Sequence, residues 1–164
     1  MCGIAGIYSF AKKHEPINPI TIDTMRDTMV HRGPDGAGTW ISEDGRIGLG
    51  HRRLSIIDLS ELANQPMSDH KKDIWIVYNG EIYNHAELRK TLETIGYSFK
   101  TDHSDTEVII YSFLEWGIEC IKKFRGIFAF SIWDERKKEL WLVRDRVGVK
   151  PLYYTIFNNK IIFA

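Results

Sequence analysis

An uninterrupted run of β-favouring residues, Ile74 to Tyr78, most constrains the fold of this chain. Five consecutive residues of this kind are typical of a buried strand. Asn79-Gly80 follows the run, and this pair suits a tight turn, so we expect the strand to end there. With 164 residues and 43% hydrophobic content, the chain should form one domain with a substantial core.

Other segments show strand-like or helix-like patterns. Further short apolar runs predict strands over 2–8, 39–41, 47–49, 127–133, 140–143, 152–156 and 161–163. Helical spacing of apolar residues predicts helices over 21–30, 84–95 and 105–116. Thr21 and Asn84 are expected as N-caps, and Gly96 and Gly117 as stops. This order predicts an α+β fold in which helices cover stacked antiparallel sheets.

The charge balance argues against several classes of function. Lys plus Arg number 22 and Asp plus Glu number 22, so no net field favours nucleic acid or an anionic membrane. No apolar stretch approaches the roughly 20 residues that span a bilayer, and the N-terminus lacks a signal-peptide pattern. We therefore expect a cytoplasmic protein with no nucleic-acid or membrane partner.

The cysteines and histidines do not predict a metal site. Cys2 and Cys120 lie far apart in sequence, and the six histidines lack helical pair spacing with a carboxylate. We expect no metal and no cofactor in this domain.

Cys2 acquires a chemical option through its position next to the chain start. If Met1 is removed, the freed α-amine can accept the thiol proton and later deliver it to a leaving group. The alternative is that Cys2 simply packs in an apolar strand, as we expect for Cys120. Its local sequence alone favours packing.

Three polar segments also allow two interpretations each. Arg53, in a basic group after a strand-like piece, could bind a carboxylate through two hydrogen bonds or lie on a solvated edge strand. Asn79 and Gly80 could form a hairpin turn, an oxyanion hole, or both. Asp105 could belong to a helix-capping box with Ser104, or could bind a substrate ammonium group.

Together these segments resemble the class II glutamine amidotransferases, whose glutaminase domain belongs to the N-terminal nucleophile hydrolases. The resemblance covers essentially the whole chain. The segments that carry it are 1–6, 31–36, 53–58, 65–67, 79–84 and 104–107.

The resemblance implies a four-layer αββα sandwich and a role for each site residue. Cys2 would be the nucleophile, and Asn79 and Gly80 would stabilise the oxyanion. The substrate would be L-glutamine, with its α-carboxylate on Arg53 and its α-ammonium on Asp105. The backbone around Ile56, Ile57 and Glu81 would line the pocket.

Pro34 and the segment 144–154 look like the asparagine synthetase branch of this class. That branch implies that residues 1–164 are a glutaminase domain supplying ammonia to a C-terminal synthetase domain or subunit. ATP and magnesium are expected only in that second domain, which this chain lacks, and the natural chain is expected to continue past Ala164. Alternatives are a domain serving a sugar nucleotide or another carboxylate, and a catalytically silent binding domain. A further alternative is that two copies of the chain form a homodimer.

Overall fold

The computed structural model describes residues 1–55 and 61–164. Within these residues, nine strands assemble into two antiparallel sheets. They are β1 (Gly3–Ser9), β2 (Gly36–Ile41), β3 (Ile47–Arg53), β4 (Met67–Ser68), β5 (Ile74–Ile82), β6 (Gly126–Asp134), β7 (Glu139–Arg144), β8 (Tyr154–Phe157) and β9 (Lys160–Phe163). The first sheet has the order β2-β3-β1-β9-β8 and the second has the order β4-β5-β6-β7.

Three α-helices lie among the described residues: α1 (Pro19–Asp27), α2 (His85–Thr94) and α3 (Asp105–Trp116). Short 3-10 helices lie at Glu61–Ala63, before β4, and at Gly117–Lys122, directly after α3. Helix α1 contacts the first sheet, whereas α3 contacts the second sheet and α2 packs against α3. None of the described helices is long and apolar enough to cross a membrane.

Three apolar clusters separate four layers of structure. Ile7 and Ile22 belong to the cluster between the first sheet and α1. Leu49 and Val77 belong to the cluster between the two sheets. The largest cluster, which includes Ile109, joins the second sheet to α2 and α3. Because each sheet buries both faces, the order is helix, sheet, sheet, helix, and the predicted α+β sandwich is confirmed.

Strand β5 does not end where the sequence predicted. It continues through Asn79 and Gly80 to Ile82 and pairs with β6 along its whole length. The expected tight turn at Asn79-Gly80 is therefore wrong. A Cβ atom at Gly80 would lie 2.3 Å from the Ile127 carbonyl oxygen, so glycine is required here by close approach to β6.

The helix boundaries also differ from the prediction. Helix α1 begins at Pro19, because the Asn18 side chain accepts a hydrogen bond from the Ile20 N–H at 2.9 Å and acts as the N-cap instead of Thr21. Asn84 precedes α2 as predicted, but its side chain bonds the backbone of residues 123 and 125 instead of capping the helix. Gly96 and Gly117 have positive φ values of 104° and 58°, which glycine adopts readily, and α2 and α3 end before them as predicted.

Candidate active site

One pocket collects all the predicted site residues that the structure describes. Its lining residues include Cys2, Arg53, Asn79, Gly80, Glu81 and Asp105. They come from the residue before β1, the end of β3, the second half of β5 and the first residue of α3. The predicted residues Ile56 and Ile57 lie outside the described residues. Segments far apart in sequence thus converge on one site, while the chemical role of each residue stays a prediction.

Cys2 lies half-buried immediately before β1. Its Sγ atom accepts a hydrogen bond from the Leu54 N–H at 3.4 Å and lies 3.7 Å from the Leu54 carbonyl oxygen. Arg32 fixes the chain start from the other side, because its Nε donates to the Cys2 carbonyl oxygen at 3.3 Å. The Arg32 carbonyl in turn accepts from the Met1 ammonium group at 3.1 Å. The loop after α1 therefore holds the N-terminal residues beside the pocket.

The backbone N–H of Gly80 points away from β6. Successive residues of a strand direct their N–H groups to opposite edges, and the Tyr83 N–H donates toward β6, to the Arg125 carbonyl. The N–H groups of residues 78, 80 and 82 must therefore face the opposite edge. Two of them find side-chain acceptors there: the Tyr78 N–H bonds Gln65 and the Ile82 N–H bonds Asp105.

Between these two satisfied groups, the Gly80 N–H has no hydrogen-bond partner among residues 1–55 and 61–164. The neighbouring Asn79 side chain is buried, with 4% exposure, and its amide likewise has no hydrogen-bond partner in this part of the chain. Both residues line the pocket that contains the Cys2 thiol. A backbone donor and a side-chain amide are thus available to an oxygen atom bound beside the sulfur.

Two residues of opposite charge lie on the same pocket. Arg53 is buried and donates from Nη1 to Asn64 Oδ1 at 2.7 Å. Asp105 accepts from the Tyr78 hydroxyl at 2.7 Å and from the Ile82 N–H at 3.0 Å. Burial raises the pKa of Asp105, and these two hydrogen bonds act in the opposite direction by stabilising the charged form. The pair can bind a small ligand that carries both a carboxylate and an ammonium group.

The capping-box interpretation of this segment is wrong. Ser104 occupies the N-cap position of α3 but makes no side-chain capping bond. The Glu107 carboxylate, which would complete a capping box, instead accepts from the Lys100 N–H at 2.8 Å and from the N–H and hydroxyl of Thr101. Glu107 therefore bonds the preceding loop instead of the helix start, and Ser104 and Glu107 do not form a capping box.

The pocket residues that sequence reasoning did not place in the site include Gln65, Tyr78 and Lys150. The Oε1 atom of Gln65 accepts from the Tyr78 N–H at 2.6 Å, and its Nε2 donates to Thr106 Oγ1 at 3.2 Å. Lys150 places its Nζ 3.2 Å from Met1 Sδ. Gln65 and Lys150 lie in segments that carried the family resemblance, but Tyr78 was counted only as part of an apolar strand. The signal in the sequence was the Tyr78 hydroxyl, a polar group at the end of an otherwise apolar run.

His51 and Cys120 are buried groups with different surroundings. His51 Nε2 bonds the Tyr78 carbonyl at 3.1 Å, and burial lowers its pKa to about 4, so the ring is neutral at pH 7. Cys120 packs in the cluster beneath α2 and α3, where burial raises its thiol pKa to about 12. Such a thiol stays protonated and has a packing role, as expected. Across the described part of the chain, no three His, Cys, Asp or Glu side chains are grouped to hold a metal.

Comparison with known proteins identifies a single family over the whole sequence. Residues 1–164 match the family described as "Glutamine amidotransferase domain". Asparagine synthetase (glutamine-hydrolysing) 1 of Bacillus subtilis is 44% identical over 168 residues, which cover 100% of this chain and 26% of that protein. Amidase chry2 of Gibberella zeae is 43% identical over 147 residues, covering 87% of this chain and 21% of the relative.

A solved structure shares the fold. The glutamine phosphoribosylpyrophosphate amidotransferase of B. subtilis, complexed with ADP and GMP, superposes with a TM-score of 0.81 at 20% sequence identity. The match covers 98% of this chain and 41% of that one. The chain therefore spans only a part of the length of the proteins it resembles.

Proposed function

Because this chain belongs to the glutamine amidotransferase domain family, we propose that it hydrolyses the side-chain amide of L-glutamine, with Cys2 as the nucleophile once Met1 has been removed. The supporting observation is that the Cys2 thiol, Arg53 and Asp105 converge on one pocket with two donors, the Asn79 amide and the Gly80 N–H, that no residue of 1–55 or 61–164 engages. This arrangement matches the three parts of the substrate: the amide carbon, its oxygen and the charged α-carbon groups.

In this proposal the two charged residues orient glutamine by its amino-acid end. Arg53 binds the α-carboxylate and Asp105 binds the α-ammonium group. Ile56, Ile57 and the backbone of Glu81 line the remainder of the pocket. Because hydrogen bonds from Tyr78 and Ile82 already fix the Asp105 carboxylate, it needs little reorganisation when the substrate binds.

The chemistry proceeds in two halves. The Cys2 sulfur attacks the amide carbon while the Cys2 α-amine accepts the thiol proton, and the resulting oxyanion is stabilised by the Asn79 amide and the Gly80 N–H. The C–N bond then breaks, and the α-amine transfers its proton to the departing ammonia. Water next attacks the γ-glutamyl thioester, releasing glutamate and restoring the thiol.

We propose that the ammonia serves an ATP-dependent, amide-forming synthetase domain, with aspartate as the acceptor. This chain covers 26% of an asparagine synthetase to which it is 44% identical, so most of that relative lies outside the matched region. ATP and magnesium would bind in the synthetase domain. A comparable identity of 43% to an amidase keeps a different acceptor, such as a sugar nucleotide or another carboxylate, as the second candidate. We also propose that the protein forms a homodimer, and light scattering would test this by measuring its molar mass in solution.

The experiment is glutamine hydrolysis by purified protein whose mass shows that Met1 has been removed. We expect equal amounts of glutamate and ammonia, loss of both in Cys2→Ala, and retained activity in the matched variant Cys120→Ala. Turnover by Cys2→Ala equal to that of the parent protein would contradict the proposal. Glutamine binding without turnover in processed protein would instead identify a silent binding domain.

A further inference from the structure

Tyr78 is held at both its backbone and its side chain. Its N–H donates to Gln65 Oε1 at 2.6 Å, and its carbonyl bonds His51 Nε2 at 3.1 Å. Its hydroxyl donates to Asp105 Oδ2 at 2.7 Å. With only 3% of its surface exposed, the side chain is packed within the cluster beneath the helices. The position of the hydroxyl is therefore fixed by the fold.

The hydrogen bonds to Asp105 select one of its two oxygens. Tyr78 and the Ile82 N–H both donate to Oδ2. These bonds hold the carboxylate in one orientation, and neither of them uses Oδ1. A carboxylate anchored through one oxygen presents the other in a defined direction to a cation.

In its bond with the Asp105 carboxylate, the Tyr78 hydroxyl is the donor. Burial, followed by the charge of Asp105, raises the pKa of Tyr78 well above its ordinary value, so the phenol stays protonated. Its bond to Asp105 favours the charged carboxylate and thus opposes the effect of burial, which raises the pKa of Asp105. Removing the hydroxyl should therefore weaken both the orientation and the charge of Asp105.

We propose that Tyr78 is a positioning residue that orients Asp105 toward the substrate α-ammonium group, and so determines the preference for an α-amino acid. This inference rests on the proposed glutaminase function and adds a residue that acts on substrate binding through Asp105. Other charged or titratable groups near the carboxylate or on the pocket are Met1, Cys2, Arg53, Glu81, His85 and Lys150.

The test compares Tyr78→Phe with the parent protein on two substrates. L-Glutamine carries the α-ammonium group, whereas 4-carbamoylbutanoate has the same amide and carboxylate but lacks it. Because a hydrogen bond to a charged group is lost, we expect KM for glutamine to rise roughly tenfold with kcat little changed. The kcat/KM for 4-carbamoylbutanoate should stay unchanged, so the preference for glutamine falls by the same factor.

The pH profile gives a second readout. The acidic limb of kcat/KM for glutamine should move to higher pH in Tyr78→Phe, because the carboxylate loses a donor that favours its charged form. Neither effect should occur in Tyr97→Phe, the matched control, which removes a tyrosine–carboxylate hydrogen bond to Glu115 away from the pocket. Thermal unfolding verifies that both variants are folded.

Equal losses on both substrates, or an unchanged preference, would overturn the role of Tyr78. Such results could be separated from failure of the proposed function, because the parent protein would still release glutamate from glutamine. If the processed parent protein hydrolysed neither substrate, the proposed glutaminase function would be contradicted, and so would the positioning role of Tyr78.

Discussion

At the scale of single residues, Asn79 provides a side-chain donor that no described residue uses. Asn79→Ala should lower kcat for glutamine about a hundredfold or more, because the donor serves an oxyanion that forms only during the reaction. KM should change little. Steady-state kinetics of glutamate release measures both constants, with Asn18→Ala, which removes only the cap of α1, as the control. A purely increased KM would show that Asn79 binds the ground state instead.

Gly80 contributes a backbone N–H to the pocket. A substitution at this position keeps that N–H but adds a side chain next to β6. Gly80→Ala should destabilise the protein by about 1–3 kcal/mol, since the new methyl group would meet the Ile127 carbonyl oxygen at 2.3 Å. Urea unfolding measures the loss. Gly36→Ala is the matched control, because its Cβ would lie at an ordinary 3.4 Å from its nearest neighbour. Equal stability of the two variants would contradict the steric argument.

The identities of the pocket residues could be predicted from sequence, but their backbone geometry could not. Asn79-Gly80 has the local composition of a turn, and this preference is overridden by pairing with β6 nearly 50 residues later. That pairing decides which edge of β5 the Gly80 N–H faces. Likewise, Tyr78 belongs to an apolar run whose register is set by distant strands, so its contact with Asp105 was not visible in the sequence.

At the scale of elements, the loop that follows β7 is organised around one carboxylate. Asp145 accepts hydrogen bonds from the N–H groups of Phe128, Val147, Val149 and Lys150, at 2.9–3.2 Å. Asp145→Ala would leave several of these donors without a partner and should lower the free energy of unfolding by about 2 kcal/mol or more. Chemical denaturation measures this loss.

The matched control for Asp145 is Asp102→Ala, because Asp102 is exposed. It should change stability by less than about 0.5 kcal/mol. If both variants lost the same stability, the hydrogen bonds of Asp145 would not have the importance we assign to them. Since Lys150 is part of the loop and lines the pocket, the Asp145 variant should also alter KM for glutamine more than the control does.

Local patterns predicted most elements but not their sheet assignments. The last four strands follow one another along the chain, but the structure divides them between the two sheets, with β9 paired to β1. This pairing depends on contacts such as Phe163 against Gly6, where an added Cβ would lie 2.3 Å from the ring. Contacts of such long sequence separation have no periodic signal in the chain.

At the scale of the whole molecule, a neutral buried histidine couples stability to pH. The pKa of His51 is lowered by burial from 6.5 to about 4. Between these values the unfolded chain binds a proton that the folded protein excludes, so stability falls as pH decreases through this range. The loss from this group should reach about 3 kcal/mol near pH 4 and be absent above pH 7.

Unfolding free energies measured between pH 4 and pH 7 would test this coupling. His51→Gln should flatten the dependence by removing the titrating group, although it will also change the absolute stability. His31→Gln, at an exposed position, is the matched control. Identical slopes in the parent protein and His51→Gln would contradict the contribution of His51.

The layered architecture was predictable because its signals are repeated along the chain. Apolar strands and amphipathic helices indicated an α+β fold, and the family resemblance added the order of four layers. The three apolar clusters show why this order is stable: neither sheet could bury both faces alone.

Strand β4 has only two residues and pairs with Trp75 and Ile76 alone. Beyond it, no strand among residues 1–55 and 61–164 adjoins the edge of β5 that faces away from β6, and the N–H groups of Tyr78 and Ile82 bond to side chains instead. Under the proposed function, an amino acid bound beside Gly80 would fill the gap that a longer β4 would have occupied. The length of an edge strand would then determine whether the protein has an active site: lengthening β4 by a few residues would convert an enzyme into an inert sandwich.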